Sequence, residues 1–292
     1  MNLNNRAQPN AVALETTLLV HGVPTDSSLS LNDELSAIVS DQHASPTLIG
    51  VLNGTPTIGM NPDELRIMLE HDQVMKANTA NLGVALHTKA HAATTVSTTM
   101  ELAATAGIKV FATGGIGGVH KGYDKHLDIS SDLAAFTRFP VAVVTSGVKS
   151  ILDVVSTREA LESLGILVVG YQTDSFPAFY LRESEAGVDV RIDDPDELAS
   201  LVDAELERTA RGIVIANPIP SEHELDLESW NTWLSAASAH ANSIGATGRS
   251  ATPAILGKLH EVSNGATLRA NIELVKSNAK LAGMIASRLT KK

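Results

Sequence analysis

Lys149 lies in Ser146-Gly147-Val148-Lys149-Ser150, directly after an apolar run at residues 141–144 and just before Ile151-Leu152. A lysine at the end of a buried strand is costly to desolvate, and that cost lowers a lysine's pKa and yields a neutral amine. Such an amine can attack a sugar carbonyl and form a Schiff base. An isolated lysine in this setting more often packs its stem and sends its ammonium to water. Glu15 lies in a second apolar run, after Leu14 and before Leu18-Leu19-Val20. Apolar surroundings raise a carboxyl pKa and make a general acid; an edge-strand glutamate facing water is the equal alternative. Asp128 lies in Leu127-Asp128-Ile129-Ser130-Ser131-Asp132 and offers a hard oxygen ligand. One aspartate alone reads first as a turn or cap. Ser130-Ser131-Asp132 ahead of Leu133-Ala134-Ala135 also reads as a helix start whose N–H groups can hold an anion.

Between these groups runs Gly114-Gly115-Ile116-Gly117-Gly118, with His120 just beyond. The loop lacks the Lys-Ser/Thr ending of a phosphate-binding P-loop, and no ribose-binding acid follows at dinucleotide spacing. Its glycines instead suit close approach of backbone to a ligand. His120 alone reads as a structural histidine. His87 and His91 stand four apart, but with no third ligand they read as one packed or solvated helix face rather than a metal site.

Strand-like runs at residues 12–20, 47–52, 109–113, 141–145, 166–170 and 212–216 must position these groups. Helical patterns alternate with them. Asn61-Pro62-Asp63-Glu64 and Asp194-Pro195-Asp196-Glu197 each read as a cap, a proline at the first helical position and a glutamate at the third. After Asp194, Leu198, Leu201, Val202 and Leu206 share one face, and Gly212 marks the end. A shorter helix at residues 157–164 closes at Gly165, and long helices follow from about Glu228. Strand and helix alternating at this spacing predict an α/β fold. Asn217-Pro218-Ile219-Pro220 and Thr173-Asp174-Ser175-Phe176-Pro177 fall at strand ends, where open α/β sheets bind ligands. Residues 243–251 are the best linker candidate, but no composition break separates a second domain.

Hydrophobic residues make up 43% of the 292 residues and aromatics only 3%, so the core must be aliphatic. That composition suits strands buried on both faces. The net charge of −11, with no basic tract, argues against nucleic-acid binding. There is no cysteine, hence no disulfide and no thiolate metal site, as fits a reducing cytosol. No apolar run of about 18 residues suggests a membrane span, and MNLNNRAQPN lacks the apolar core of a signal peptide.

TGGIGGVH, the DIS-S-D stretch, SG-x-KSILD, TDSFPAFY and NPIP occur in the order and spacing of the pseudouridine-5'-phosphate glycosidases, the indigoidine-A-like family. The chain resembles that family from LETTLLVHGVP to LRANIELVKSNAKLAG, nearly its whole length. The resemblance implies one domain over residues 1–292, a three-layer α/β/α fold with a central mixed, mostly parallel sheet, a homotrimer and a cytoplasmic enzyme. It implies reversible conversion of pseudouridine 5'-phosphate and water into uracil and ribose 5-phosphate. Lys149 would then be the Schiff-base nucleophile at C1' of the opened ribose and Glu15 the proton donor. Asp128 would anchor Mn²⁺, or another divalent cation, largely through water. Lys76, Val96, His120, Ser130, Ser131, Asp132 and Asn271 would contact substrate, Val96 through its backbone and His120 at the sugar phosphate; as a bare sequence feature Asn271 reads equally well as a helix-interior amide. Many family members carry an arginine and an acidic residue where this chain has Ala80 and Asn81, which puts the substrate preference in question. The alternatives are a C-ribosyl synthase joining ribose 5-phosphate to another aromatic acceptor, and an inactive sugar-phosphate-binding homologue.

Overall fold

A computed structural model describes residues 3–123, 127–245 and 251–289. The strands are β1 (Asn4–Asn5), β2 (Ala11–Glu15), β3 (Ser45–Leu52), β4 (Thr55–Ile58), β5 (Met75–Ala77), β6 (Ala92–Thr94) and β7 (Val110–Ala112). They continue with β8 (Val119–His120), β9 (Ala142–Thr145), β10 (Leu152–Asp153), β11 (Val168–Tyr171), β12 (Val190–Ile192) and β13 (Ile213–Ala216). The helices are α1 (Thr25–Ser40), α2 (Pro62–Glu70), α3 (Leu82–His87), α4 (Val96–Thr105) and α5 (Ser131–Phe136). Then come α6 (Val154–Ser163), α7 (Pro195–Thr209), α8 (Leu227–Ser243), α9 (Ala251–Val262) and α10 (Ala266–Ala286).

The main sheet runs β1-β4-β3-β2-β7-β9-β13-β11-β12, with β6 and β5 branching from β3. From β3 to β12 every neighbour is parallel, while β4 and β6 pair antiparallel with β3. The sheet is therefore mixed and mostly parallel. Side chains alternate between its faces. Val12, Leu14, Val110, Ala112, Val144 and Ile215 pack with α1, α7 and α10 through residues such as Leu35, Val202 and Leu274. Ala13, Phe111, Val143 and Val214 face the other way, against Met100 of α4, Phe136 of α5 and Leu161 of α6. This is the three-layer α/β/α arrangement, with strands buried on both sides as the aliphatic composition requires.

Both proline-led helix starts are present. Asn61 and Glu64 form a reciprocal capping box at α2, and Asp194 accepts from the N–H groups of Asp196 and Glu197 at α7. Leu198, Val202 and Leu206 are buried along α7. Some boundaries differ from the sequence reading, each for a local reason. The run at residues 12–20 is a strand only to Glu15, then a π-helical turn at Leu18–Gly22. Thr16 ends the ladder: its hydroxyl donates to the Ile49 carbonyl and accepts from the Thr94 N–H, both at 2.9 Å, in place of a backbone partner. Helix α6 starts at Val154 because Asp153 caps it through the Ser156 N–H. Helix α7 ends at Ala210, which takes a left-handed conformation at φ 52°. Gly212 lies just before β13 instead, and an added Cβ there would lie 2.8 Å from Met100 and from Phe136. His87 and His91 do not share a helix face: α3 ends at His87, and buried His91 precedes β6 and packs its ring, tilted, against that of His71 with centroids 4.7 Å apart. Most of the suggested linker, residues 246–250, lies outside the described residues. Among the described residues no helix is long and apolar enough to cross a membrane.

Candidate active site

The parallel strands β2, β7, β9 and β13 all deliver their carboxyl ends to one edge of the sheet. Glu15 is the last residue of β2, Thr113 follows β7, the turn bearing Lys149 follows β9 and Asn217 follows β13. That edge is where ligands bind in open α/β folds. Glu15 is buried, with 8% of its surface exposed, and accepts a hydrogen bond from the Thr113 hydroxyl. Burial raises its pKa. The Lys149 cation, the Thr113 bond and Lys76 pull the other way, while Asp132 adds to the rise; burial prevails. Of the two sequence readings of Glu15, the buried one describes the structure.

Lys149 is half-buried and is held by backbone. Its N–H donates to the Ile116 carbonyl at 3.1 Å, and the Ile116 N–H donates to Gly147 at 3.0 Å. The glycine loop and the lysine turn are thus zipped together. Close packing explains the glycines: a Cβ on Gly117 would lie 2.3 Å from the Ser130 hydroxyl, and one on Gly118 2.3 Å from that of Thr157. Asp132 ties this loop to two helix starts. One carboxylate oxygen accepts from the Ser97 N–H at 2.9 Å and the other from the Gly117 N–H at 2.8 Å. Ser130 caps α5 through the Asp132 N–H, and the Ser131 hydroxyl meets that of Ser97 at 3.1 Å. Val96, buried, is the first residue of α4. Ser130, Ser131, Asp132 and Val96 therefore converge beside the glycine loop. Asp132 is engaged mainly with backbone, so its first task is to hold the loop in place.

Lys76 lies on β5 and is exposed overall, yet the protein around its ammonium lowers its pKa by desolvation. The Lys149 cation lowers it further, against the pull of Glu15 and Asp132. These four groups share one electrostatic field. Asn81 donates from its amide to the Lys76 carbonyl at 3.1 Å and accepts from the Asn78 N–H at 2.8 Å. The uncharged Asn81 side chain thus holds the Lys76 segment in place. The amide oxygen of Asn271, on α10, is buried without a hydrogen-bond partner and lies 3.2 Å from where a Gly114 Cβ would stand. A buried acceptor facing the glycine loop calls for a donor from a ligand or water.

His120 and Asp128 form a separate pair. The imidazole Nδ1 lies 3.8 Å from the Asp128 carboxylate, and the His120 N–H donates to the Asp128 carbonyl at 3.0 Å. Among the described residues no hydrogen bond or ion pair links either of them to Glu15, Lys149 or Asp132, and no group of three or more His, Cys, Asp or Glu side chains is placed to hold a metal. A half-exposed carboxylate beside an imidazole still offers donors that Mn²⁺ accepts, with the other positions left to water.

Three parts of this edge escaped the sequence reading. Thr113 and Ser97 carry no local pattern that marks them. Asn278 could have been noted inside LRANIELVKSNAKLAG as an amide on the apolar face of a helix. It is fully buried, and its amide donates to the Thr113 carbonyl at 2.7 Å and the Ser146 hydroxyl at 3.2 Å. Its oxygen accepts from Asn217 at 2.9 Å. One side chain of α10 therefore joins the ends of β7, β9 and β13. Asn278→Ala would strand these buried groups, and urea unfolding should show a loss of about 2–4 kcal/mol.

Residues 3–288 match the family model described as indigoidine synthase A like protein. A pseudouridine-5'-phosphate glycosidase of Caldanaerobacter subterraneus is 43% identical over 96% of this chain and 92% of its own. One from Kosmotoga olearia is 42% identical over 96% of each. An indigoidine synthase A-like protein of Thermotoga maritima superposes with a TM-score of 0.90 at 34% identity, over 98% of this chain and 96% of that one. The prealnumycin C-glycosynthase, solved with ribulose 5-phosphate, gives 0.88 at 31% identity over 96% and 91%. With a family model spanning almost every residue and relatives above 40% identity along the same length, this chain belongs to the indigoidine synthase A-like family.

Proposed function

We propose that the protein is a pseudouridine-5'-phosphate glycosidase, reversibly cleaving the C–C glycosidic bond to give uracil and ribose 5-phosphate. The observation that carries this reading is the meeting, at one sheet edge, of buried Glu15, whose pKa is raised, with Lys149 on the turn after β9, two strands away, whose charge acts on Glu15. The names of the relatives support the same substrate.

A C–C bond to a base has no leaving heteroatom to protonate, so the sugar carbon must be activated first. Protonated Glu15 gives its proton to the ring oxygen as the Lys149 amine attacks C1', opening the ribose. The Glu15 carboxylate then takes a proton from the new C1' ammonium. It returns that proton to C5 of uracil as the nitrogen lone pair expels the base, leaving an iminium at C1'. Water hydrolyses the iminium to the aldehyde of ribose 5-phosphate and frees Lys149. Lys76, the Ser130-Ser131 helix start, the Val96 backbone, His120 and Asn271 hold the sugar phosphate and the base, and Asp132 keeps the glycine loop in register. Asp128, with His120 beside it, would hold Mn²⁺ or another divalent cation, which when bound supplies positive charge to orient the phosphorylated sugar. The working unit is a cytoplasmic homotrimer in this reading.

Borohydride reduction in the presence of ribose 5-phosphate and Mn²⁺, followed by peptide mass mapping, tests the mechanism. A reduced ribosyl-phosphate adduct on Lys149 is expected; a folded, metal-supplied protein with no adduct there would overturn it. The likeness to a C-glycosynthase, together with Ala80 and Asn81, supports a second reading in which ribose 5-phosphate is joined to another aromatic acceptor. Offering uracil and other aromatic acceptors with ribose 5-phosphate separates the two, since the synthase would leave uracil unused.

A further inference from the structure

We propose that Phe179 is a positioning residue for Lys149: the loop at residues 175–181 clamps the lysine turn against the glycine loop, and Phe179 is the point of the clamp. This rests on Lys149 being the nucleophile. Phe179 takes a left-handed backbone conformation, φ 64°, which a bulky aromatic residue adopts only when its surroundings impose it. In that conformation its N–H donates to the Ser146 carbonyl at 2.9 Å. Next to it, Ala178 bridges Gly147 in antiparallel fashion. Gly147 itself has φ 79°, and an added Cβ would fall 1.8 Å from the Pro177 carbonyl oxygen. The loop therefore lies directly on the backbone that leads into Lys149.

The ring reaches the other half of the site. It is 7% exposed, and its edge atoms lie 2.5 and 2.7 Å from where a Gly115 Cβ would stand. One residue thus touches both halves of the zipper that Ile116 makes with Gly147 and Lys149, its N–H on one and its ring on the other. Behind it stands a rigid support: Phe179 meets Tyr180 edge-on at 4.7 Å, and Tyr180 packs on Trp230 at 5.3 Å. In a chain with 3% aromatics, this concentration next to the lysine turn is selective. Tyr180 is buried deeply enough to push its phenol pKa well above the ordinary range, so the support stays neutral. Strain held at one residue, aimed at one turn, is the signature of a conformation kept for geometry rather than for stability.

The test uses full-length protein with ribose 5-phosphate, and reads the rate of borohydride-trapped adduct at Lys149 alongside KM and thermal unfolding. Phe179→Gly keeps the left-handed backbone and the N–H but removes the ring. It is expected to slow trapping about 100-fold, the effect of displacing a reacting atom by roughly 1 Å, with KM changed less than about threefold. Gly115→Ala, which forces the ring aside, should slow trapping similarly and covers the case in which Phe179→Gly does not fold. The double variant should be no slower than Phe179→Gly alone, because the added methyl then occupies the space the ring has left. Trapping within about twofold of wild type in a folded Phe179→Gly or in Gly115→Ala, or strictly additive losses in the double variant, would overturn the proposal. If wild-type protein itself gives no Lys149 adduct, the nucleophile assignment fails first, and the clamp falls with it.

Discussion

On the proposed mechanism, Lys149→Ala is expected to lower kcat on the order of 10⁴-fold or more, because it removes the amine that forms the C1'–N bond. Borohydride trapping should vanish with it. Loss of the cation also changes its neighbours in a defined direction. Lys149 is the largest of the influences that hold the Glu15 pKa down against burial, so Glu15 should titrate still higher in this variant. Lys76, relieved of a like charge, should titrate higher as well. Lys149→Arg separates electrostatics from nucleophilicity. It retains the positive charge and should leave the Glu15 titration close to wild type, yet guanidinium forms no imine, so turnover should be as low as in the alanine variant. Activity in Lys149→Arg above about a tenth of wild type would remove Lys149 as nucleophile. Folding stability should change by no more than about 1 kcal/mol in either variant, since Lys149 is only half-buried.

Glu15→Gln should cost about 10²–10⁴-fold in kcat, the range for loss of a placed general acid. Its pH dependence carries a sign. Burial raises the folded-state pKa of Glu15 above the unfolded value, so the folded protein holds the proton more tightly. The stability associated with this group is fully present below about pH 4.3, the unfolded glutamate value. It declines as pH climbs through the raised folded pKa and stays lower above it. Glutamine carries no ionisable proton and still accepts from the Thr113 hydroxyl. Glu15→Gln should therefore be more stable than wild type at pH 8, by about 1–2 kcal/mol, and gain nothing at pH 4. Urea unfolding at the two pH values measures this difference directly. In wild type the steps that need a protonated Glu15 weaken as pH rises through its pKa, and the alkaline limb of kcat should disappear in the variant. Equal stability of the two proteins at pH 8 would show that Glu15 is not held in a desolvated site.

The sequence showed the elements whose cause is local. Capping at Asn61 and Asp194 and the buried runs of β7, β9 and β13 depend on neighbours a few residues away, and each was legible. The end of β2 was not, because it depends on the Thr16 hydroxyl meeting Ile49 and Thr94, which are remote in the chain. The short strands β5 and β6 gave no periodic signal; they exist because β3 offers an open edge. Lys149 stood out because its turn follows an apolar run, and Glu15 because it interrupts one. The roles of Lys76, Val96 and Asn271 came only through resemblance to a family. Thr113, Ser97 and Asn278 act through contacts made across layers, which no spacing along the chain encodes.

The amide that joins three strand ends, Asn278, lies far along the chain from Glu15. During synthesis the acid emerges first and this amide long after it. At roughly 5–20 residues per second, the interval between residues 15 and 278 is about 13–53 s. Until then Asn278 cannot join the ends of β7, β9 and β13. The strand ends that carry Thr113, Ser146 and Asn217 are therefore tied together only when α10 docks on the sheet.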